Sequence, residues 1–452
     1  MPHKIKTRKG LNIPLKGKAE KILIQSKLNN SLVALKPTDF PSFTPKAALK
    51  EGDKVQAGSV LFFNKYKPEV KLTSPVSGTL KRIVRGERRK ILEFVIEPDG
   101  NQDYVSFNPG NLAELSREQV INLLLESGVW PFIRQRPFDV IANPQDQPKA
   151  VFISGFDSSP LAPDYDFIMN DQETDFQKGI DVLSKLTNGK IHLTVNGAYP
   201  VSKVYSSVKG VELNSIAGPH PAGNVGVQMH HIDPINKGEV VWHVNPQDVL
   251  IIGRLFTKGV FDASKIIALT GSEVEKPRYY KTVLGTSIDS FVNGNVSKEG
   301  NLRYISGNVL TGTRIVNDGY LGFYHNQITV IPEGDDYEFF GWALPGFKKF
   351  STSRTFFSWL MPGKEYRMNA NLHGGKRPFV FTNEYEKVLP MDILPVYLLK
   401  AIMVEDIDQM EALGIYEVGE EDFALCEFNC TSKIPVQQTL RKGFDLMIRE
   451  TS

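Results

Sequence analysis

The feature that most constrains the fold of this chain is a strand–helix–strand pattern near its middle. Residues 150–154 form a short apolar run that is typical of a buried strand, and a second such run occupies residues 190–195. The intervening residues 175–186 have the spacing of a helix. Two strands joined through a helix of this length predict a right-handed parallel βαβ unit. We therefore expect a Rossmann-like α/β domain, which we assign to residues 106–255.

Helix and strand signals elsewhere in this segment support the same domain. Ser116 and Gln119 form a capping box, in which each side chain accepts the backbone N–H of the other, and Gly128 stands where a left-handed cap would end the helix. The apolar residues 240–244 and 249–252 are predicted to be further strands. The domain should therefore have one helix ahead of the βαβ unit and additional strands behind it.

Residues 31–105 are predicted to form short strands separated by turns, because glycine and proline recur at short intervals. The Ser-Pro-Val-Ser-Gly turn at residues 74–78 resembles the barrel-sandwich module of biotinyl and lipoyl carrier domains. Lys67 occupies about the position of the modified lysine in those domains, but Pro68 follows it and the usual small or hydrophobic neighbours are missing. We favour an unmodified structural module over a carrier domain.

The chain has 452 residues, which is enough for two to four domains, and its C-terminal part changes from strand patterns to helix patterns. Residues 256–335 contain apolar runs at 265–271, 283–286 and 288–292, and these runs predict a compact strand-rich unit. We expect this unit to be a β-grasp domain of the SLBB-like kind. Residues 336–452 are predicted to be a helical domain.

Two patterns define the predicted helical domain. Residues 392–402 are strongly apolar, and they include Pro395, which a helix tolerates only in its first turn. Near the end of the chain, Val436, Leu440 and Phe444 recur every four residues and so lie on one helical face. The fold class is therefore a multidomain α/β and α+β protein.

The net charge of +2 conceals an uneven distribution. The first 100 residues contain 21 Lys and Arg against 9 Asp and Glu, whereas the other 352 contain 32 against 42. We describe residues 1–30 as a basic N-terminal arm. Such a segment suits an anionic membrane surface, an acidic partner or simple solvation, and its weak aromatic content argues against nucleic acid. We expect the basic part to carry docking surface that high salt weakens.

Composition excludes several classes of protein. No run of about 18 apolar residues exists, so we expect no transmembrane helix, and residues 1–30 lack the apolar core of a secretory signal. Cys426 and Cys430 are too few for a disulfide scaffold or for an iron–sulfur cluster held by about four thiolates. The sequence contains no Walker A motif, no GxGxxG after a strand and no GxSxG, so nothing indicates an NTPase or a hydrolase.

Residues 130–138, Trp-Pro-Phe-Ile-Arg-Gln-Arg-Pro-Phe, place Arg134 and Arg136 among aromatic residues. Arginines in such a setting bind anions or stack on a planar ring. The alternative is a loop that packs its aromatic side chains into a domain interface and leaves the arginines in solvent. The residues alone favour this alternative.

A second group of candidates lies further along the chain. Four of the eight histidines fall within 24 residues. They are His220, His230, His231 and His243. Their spacing does not match a zinc motif, so a metal site is not favoured. The glycine-rich residues 218–226 are either a binding loop or a turn between strands, and the residues leave both open. For Cys426 and Cys430, buried free thiols are favoured over a redox disulfide or a shared metal ion.

Several longer stretches together resemble one protein family. They are residues 9–17, 72–78, 124–138, 154–164, 218–235 and 424–433. Over essentially its whole length the chain resembles the NqrA family, which belongs to the Na⁺-translocating NADH:quinone oxidoreductase of bacterial membranes. Relatives of that family are found in Rnf electron-transfer complexes, as their RnfC component, and in respiratory complex I, as its NADH-binding flavoprotein.

The resemblance implies a peripheral component on the cytoplasmic face of the bacterial inner membrane, partnered by the other subunits of the Na⁺ pump. It also implies binding of ubiquinone or menaquinone. Plausible residues for this site are Trp130, Arg134, Arg136, Phe138 and His220, with the arginines and the histidine as hydrogen-bond donors and an aromatic ring as stacking surface. No residue is assigned a catalytic role.

The sequence differs from those of the Rnf and complex I relatives in the segments that bind their flavin and iron–sulfur cofactors. Their Gly-Gly-Ala-Gly-Phe-Pro-Thr loop admits flavin phosphate to the backbone, whereas bulky Trp130, Phe132 and Ile133 stand at the corresponding place here. Of their cysteine array only Cys426 and Cys430 remain. We therefore expect this chain to bind no flavin, iron–sulfur cluster or metal tightly. NADH, the flavins and the clusters are expected to be bound by other subunits, and the isolated chain is expected to be inactive. The alternative is an Rnf-type electron-transfer protein with bound flavin.

Overall fold

The computed structural model describes residues 3–25, 31–297, 299–334, 337–341 and 344–451. Within them, four sheets and a C-terminal group of helices pack together. Of the predicted basic arm, residues 1–2 and 26–30, which include Lys27, lie outside the described residues.

The described part of the N-terminal segment contributes a strand to each of two sheets. Strand β1 (Lys4–Lys6) pairs in parallel with residues 215–217, and strand β2 (Glu20–Gln25) pairs in parallel with a strand at residues 278–283. Lys21 also forms an ion pair of 2.6 Å with Asp164. The segment is therefore part of two later domains rather than a separate arm.

A four-stranded and a three-stranded sheet form the sandwich that the turn-rich segment predicts. Their strands are β3 (Val33–Leu35), β4 (Pro45–Ala47), β5 (Lys54–Val55), β6 (Val60–Asn64), β7 (Lys71–Thr73), β8 (Gly78–Arg85) and β9 (Ile91–Pro98). The strand orders are β3-β9-β8-β5 and β4-β6-β7. Phe62 and Phe94 stack across the two sheets with ring centroids 4.5 Å apart. Lys67 lies exposed in the turn between β6 and β7.

A seven-stranded sheet forms the centre of the predicted α/β domain. Besides β1, its strands are β10 (Arg134–Arg136), β11 (Val140–Ile141), β12 (Ala150–Ser154), β13 (Lys190–Asn196), β14 (Glu212–Ala217) and β15 (Val241–His243). Its helices are α1 (Arg117–Glu126), α2 (Tyr165–Ile168), α3 (Glu173–Leu186), α4 (Lys203–Ser206), α5 (Val225–Ile232) and α6 (Pro246–Lys258). The strand order is β1-β14-β13-β12-β15-β10-β11, and β12, α3 and β13 form the predicted parallel βαβ unit.

The helix signals at the start of this domain are confirmed. Ser116 Oγ accepts the N–H of Gln119, and Gln119 Oε1 accepts the N–H of Ser116 at 2.8 Å. Gly128 follows the helix with a φ of +74°. A Cβ there would lie 2.3 Å from Thr73 Oγ1 of the sandwich, so the glycine both ends α1 and lets the two domains approach.

The prediction of a strand at residues 249–252 is wrong, because this apolar run lies inside α6. Asn245 caps the helix by accepting the N–H of Gln247, and Pro246 occupies the first turn. Gly259 ends it with a φ of +68°. A short run of buried apolar residues does not distinguish strand from helix, and here the flanking cap residues decide.

The SLBB-like domain is built on a six-stranded sheet with the order β19-β18-β20-β16-β17-β2. Its strands are β16 (Ser264–Thr270), β17 (Arg278–Val283), β18 (Leu302–Ser306), β19 (Thr313–Ile315) and β20 (Gln327–Pro332). Of the predicted apolar runs, 265–271 is strand, 283–286 is the end of β17 followed by a turn, and 288–292 contains the short helix α7 (Asp289–Val292). The turn is required because Gly285 has a φ of +70° and packs against the backbone of Ala34.

Helices of the C-terminal region begin later than predicted. They are α8 (Glu384–Val388), α9 (Pro395–Met403), α10 (Ile407–Ala412), α11 (Ala424–Phe428) and α12 (Val436–Thr451). Among the described residues from 337 to 383, the single helical element is a 3-10 turn at Phe357–Leu360, because proline and glycine interrupt the chain repeatedly. Pro395 does begin α9, and Val436, Leu440 and Phe444 are all buried, as predicted. No helix in the described ranges is both long and apolar enough to cross a bilayer.

Candidate functional site

A cavity of about 520 Å³ lies where the sandwich, the α/β domain, the six-stranded sheet and the C-terminal helices meet. Ser154 at the end of β12 and Asn245 after β15 both line it. From β12 the chain adds β13 and β14 on one side, whereas β15 lies on the other. Ligands of open α/β sheets bind at such a point, outside the carboxyl ends of the strands where their order reverses.

His220, one of the predicted site residues, faces this cavity from the loop before α5. Its Nδ1 atom lies 3.0 Å from Ser158 Oγ, which accepts the N–H of Gly223 at 2.8 Å. The Ser158 hydroxyl is then free to donate to Nδ1, which places the imidazole proton on Nε2. Burial lowers the pKa of His220 to about 4, so the ring is neutral at pH 7. His220 Nε2 is buried and has no hydrogen-bond partner within the described structure.

Other polar atoms in the wall of the cavity, among them Ser159 Oγ and Asn326 Oδ1, are also buried without a hydrogen-bond partner among the described residues. The amide group of Asn326 donates to Tyr165 Oη at 3.0 Å, which fixes its orientation. Ser159 donates its backbone N–H to Asp157, whose pKa is raised by burial. Unpaired buried donors and acceptors are costly, and several around one cavity indicate that a ligand or ordered water satisfies them.

His325 also lines the cavity, from the loop before β20. It repeats the arrangement of His220: its Nδ1 lies 2.8 Å from Ser306 Oγ, which accepts the N–H of Gly322 at 2.8 Å. Burial lowers its pKa to about 3. The sequence prediction missed His325, although the polar pair His325-Asn326 directly before a buried strand could have drawn attention to it.

Arg134 is the second predicted site residue that lines the cavity. Its guanidinium lies 4.6 Å from the ring centroid of Tyr324 and forms an ion pair with Asp139. Burial opposes ionisation of Asp139, but Arg134 and Arg136 together hold its pKa well below the usual value. Asp139 Oδ1 also lies 2.9 Å from His243 Nε2. Arg134 is therefore a cation held in place at the cavity wall.

Arg136 differs from Arg134 and does not line the cavity. Its side chain is 0% exposed and lies 3.3 Å from both Asp422 and Glu421, two acidic residues of the C-terminal region. Its guanidinium therefore links the α/β domain to the C-terminal region through ion pairs. The interpretation that both arginines remain in solvent is wrong, because Arg136 is fully enclosed and Arg134 is half-buried.

The two aromatic residues proposed for stacking also lie outside the cavity wall. Trp130 is fully buried, donates its indole N–H to the Ala142 carbonyl at 2.7 Å and packs edge-on against Trp242. Phe138 packs against Phe444 of α12, with ring centroids 6.1 Å apart. The aromatic rings that do line the cavity include Phe132, Phe156, Phe323 and Tyr324.

The four clustered histidines do not converge on one point. His230 Nδ1 lies 3.1 Å from Glu417, His231 Nε2 lies 2.9 Å from the Pro390 carbonyl, and His243 pairs with Asp139. Within the described ranges no group of three or more His, Cys, Asp or Glu residues is arranged to hold a metal ion. Cys426 and Cys430 are buried free thiols.

The glycine-rich loop at residues 218–226 serves mainly to bring protein segments together. A Cβ at Gly218 would lie 2.0 Å from Thr7 Oγ1, and one at Gly223 would lie 2.5 Å from the Ser158 nitrogen. A Cβ at Gly226 would lie 2.2 Å from Asp422 Oδ2. The loop thereby positions His220 at the cavity through close packing, and Gly223 also contributes to the cavity wall.

Most of the chain matches known protein families and proteins. Residues 5–99 match the NqrA N-terminal barrel-sandwich hybrid domain, residues 115–261 the NqrA second alpha/beta domain and residues 266–317 the NQRA C-terminal domain. The NqrA protein of the Na(+)-translocating NADH-quinone reductase of Neisseria meningitidis serogroup A is 40% identical over 450 residues, covering 99% of this chain and 100% of its own. The chain belongs to the NqrA family. The corresponding protein of Yersinia pestis biovar Antiqua is 40% identical over 440 residues, which cover 97% and 98% of the two chains.

This result confirms the resemblance stated from the sequence, together with the barrel-sandwich, α/β and SLBB-like fold. A solved structure of an NAD⁺-reducing NiFe hydrogenase in the H₂-reduced state aligns over 74% of this chain and 61% of its own, with 11% identity and a TM-score of 0.39. That likeness is too slight to bear on fold or function.

Proposed function

We propose that this chain binds the headgroup of a quinone, ubiquinone or menaquinone, in the cavity at the domain junction, as a peripheral component on the cytoplasmic face of the membrane complex. The observation that carries the proposal is the unpartnered Nε2 of His220, a buried N–H donor at the wall of a cavity that also has aromatic rings. A quinone ring is planar, and its two carbonyl oxygens accept hydrogen bonds. His220 and Arg134 supply donors, and His325, which also lines the cavity, supplies another.

The site residues are accordingly revised from those expected on sequence. Arg134 and His220 are kept, because both line the cavity. Trp130, Arg136 and Phe138 are replaced as ligand contacts by Phe156, Phe323 and His325, which line it instead. Trp130, Arg136 and Phe138 are instead assigned to core packing and to the interface between domains.

We also propose that the chain carries no flavin or iron–sulfur cluster of its own, so that NADH oxidation and one-electron transfer belong to other subunits. In support, Trp130 and Ile133 are fully buried at the place where the relatives have a flavin-binding glycine loop, so no backbone is open there for a phosphate. The chain has only 2 cysteines, fewer than a cluster with four thiolate ligands needs.

Isothermal titration calorimetry of the purified chain with a short-tailed ubiquinone tests the binding proposal. We expect saturable one-to-one binding that is weakened about fivefold to tenfold in His220→Ala, the effect of losing one hydrogen bond to a neutral acceptor. His231→Ala is the matched control, since His231 lies nearby on α5 and donates or accepts only outside the cavity. Absence of saturable binding, or equal weakening in both variants, would exclude this site.

A further inference from the structure

Residues 344–364 expose an unusual number of large apolar side chains, and we call this segment the aromatic loop. Phe347 is 59% exposed, Leu360 57% and Trp359 49%, and Leu344 and Phe357 are also exposed. Single exposed apolar residues are common, but several in one short segment mark an interaction surface. None of these side chains lines the cavity described above.

The loop has a fixed shape, although its one helical element is a 3-10 turn. Phe350 packs inward against the core of the C-terminal region, and Thr352 Oγ1 donates to Asn429 Oδ1 at 2.5 Å. Lys364 Nζ donates to the Phe347 carbonyl at 2.6 Å. The outward-facing rings of Phe347 and Phe357 lie edge to face, 5.5 Å apart. The exposed rings are thus presented by a preorganised support.

The charge of the aromatic loop is one-sided. Residues 344–364 contain four cations and no carboxylate. The cations are Lys348, Lys349, Arg354 and Lys364, of which Lys349 pairs with Glu338, a carboxylate just ahead of the loop. Arg354 lies 5.1 Å from the ring of Trp359, and both side chains are exposed, as is Lys348. An occupant that complements this surface must combine an apolar cleft with carboxylates at its rim.

We propose that the aromatic loop docks onto another protein of the reductase complex, in an apolar cleft with acidic residues around it. Exposed Trp, Phe and Arg are the residues that dominate the energetics of protein interfaces. A lipid bilayer suits the loop less well, because its irregular backbone would place unpaired N–H and C=O groups in hydrocarbon, whereas a protein cleft can satisfy them. The proposal rests on membership in a multisubunit reductase and is independent of quinone binding.

The assembled complex, purified from membranes through an affinity tag on a different subunit, provides the test. In the double variant Phe357→Ser/Trp359→Ser we expect this chain to be lost on washing, with an apparent affinity roughly thirtyfold weaker. The matched control is Tyr66→Ser/Tyr199→Ser, since both tyrosines are exposed but lie far along the chain from the loop. Lys348→Glu/Arg354→Glu, which reverses two exposed charges and removes the cation over the Trp359 ring, should also weaken retention.

Several measurements distinguish the possible outcomes. Retention like that of the parent chain in both loop variants would overturn the proposal. The purified chain can also be sedimented with phosphatidylglycerol vesicles. If the parent chain binds the vesicles and Phe357→Ser/Trp359→Ser does not, while the variant chain stays in the detergent-purified complex, the loop binds a lipid surface and the proposal is overturned. Circular dichroism should show unchanged folding of the variants. Quinone titration of Phe357→Ser/Trp359→Ser should match the parent chain, which separates failure of docking from failure of the quinone site.

Discussion

Ser158 Oγ lies 3.0 Å from His220 Nδ1 and accepts the backbone N–H of Gly223, so a hydroxyl from one loop fixes the tautomer of a histidine on another. With Nδ1 accepting from serine, the imidazole presents its Nε2–H at the wall of the cavity. The donor strength of His220 toward a carbonyl oxygen therefore depends on a residue 62 positions away in the chain.

The first prediction concerns this serine. Ser158→Ala leaves the ring in place but removes its tautomer preference, so we expect quinone affinity to fall about threefold to fivefold, less than in His220→Ala. Ser206→Ala, an exposed serine on α4, is the control and should bind quinone normally. Calorimetric titration measures the difference, and a Ser158→Ala chain with unchanged affinity would contradict the proposed orientation of His220.

The second prediction concerns pH. Burial lowers the pKa of His220 to about 4 from the ordinary 6.5, so the unfolded chain binds more protons between these values. The free energy of unfolding should therefore fall as the pH drops through that window, and His220 should account for about 2 kcal/mol of the loss between pH 7 and pH 5.

Urea unfolding of the parent chain and His220→Gln at the two pH values measures this contribution. The variant has no titrating group at this position, so its stability should depend on pH less steeply by about 2 kcal/mol. His231→Gln serves as the comparison: burial also lowers the pKa of His231, but this residue is more accessible to solvent than His220, so its effect on the pH dependence should be smaller. An identical pH dependence in the parent and His220→Gln would show that folding does not lower the pKa of His220.

The third prediction separates the two arginines. Arg136→Met should lower the free energy of unfolding by about 3–5 kcal/mol, because it leaves the fully buried Asp422 and the partly exposed Glu421 without their cation. Arg134→Gln should destabilise the fold much less but raise the KM for quinone in the assembled complex. Thermal unfolding and steady-state kinetics of both variants test this, and the reverse pattern would show that the roles are exchanged.

The fourth prediction concerns cofactors. The purified chain should show no flavin band in its visible absorption spectrum, because Trp130, Phe132 and Ile133 are buried and leave no backbone open at the place proposed to correspond to a flavin-binding loop. Its intact mass should equal that of the unmodified sequence, with no lipoyl or biotinyl group on Lys67. A stoichiometric flavin band would instead support an Rnf-type electron-transfer protein.

Local signals predicted the local structure well. The capping box of Ser116 and Gln119 was readable from sequence, because its contacts join residues three positions apart. The βαβ unit was readable because the order strand, helix, strand has one favoured arrangement, although its strands pair distant residues such as Ala150 and Lys190. The prediction of a strand at residues 249–252 was wrong, because an apolar run that is buried on every side has no periodicity that distinguishes a strand from a helix. The N-terminal strands β1 and β2 were also missed, since their partners lie far along the chain.

The candidate site was predictable only in part, for a related reason. Arg134 and His220 were singled out from their neighbours in sequence, and the fold does bring them to one cavity. Whether an arginine faces a cavity or is enclosed depends on distant residues, and the acidic partners of Arg136 lie 285 and 286 positions away. His325 comes from a different domain, so no local pattern connects it with His220.

The last prediction concerns the close approach of Gly419 to Arg136. A Cβ at Gly419 would lie 1.8 Å from Arg136 Nη1, and the φ of Gly419 is −128°, so any penalty for alanine comes from contact rather than from backbone strain. The guanidinium cannot move aside without losing its carboxylates, and we expect Gly419→Ala to lower the free energy of unfolding by about 3 kcal/mol or more. Gly363→Ala is the control, since nothing lies within 4 Å of its Cβ position. Equal unfolding midpoints for the two variants would mean that Arg136 is not held rigidly between the domains.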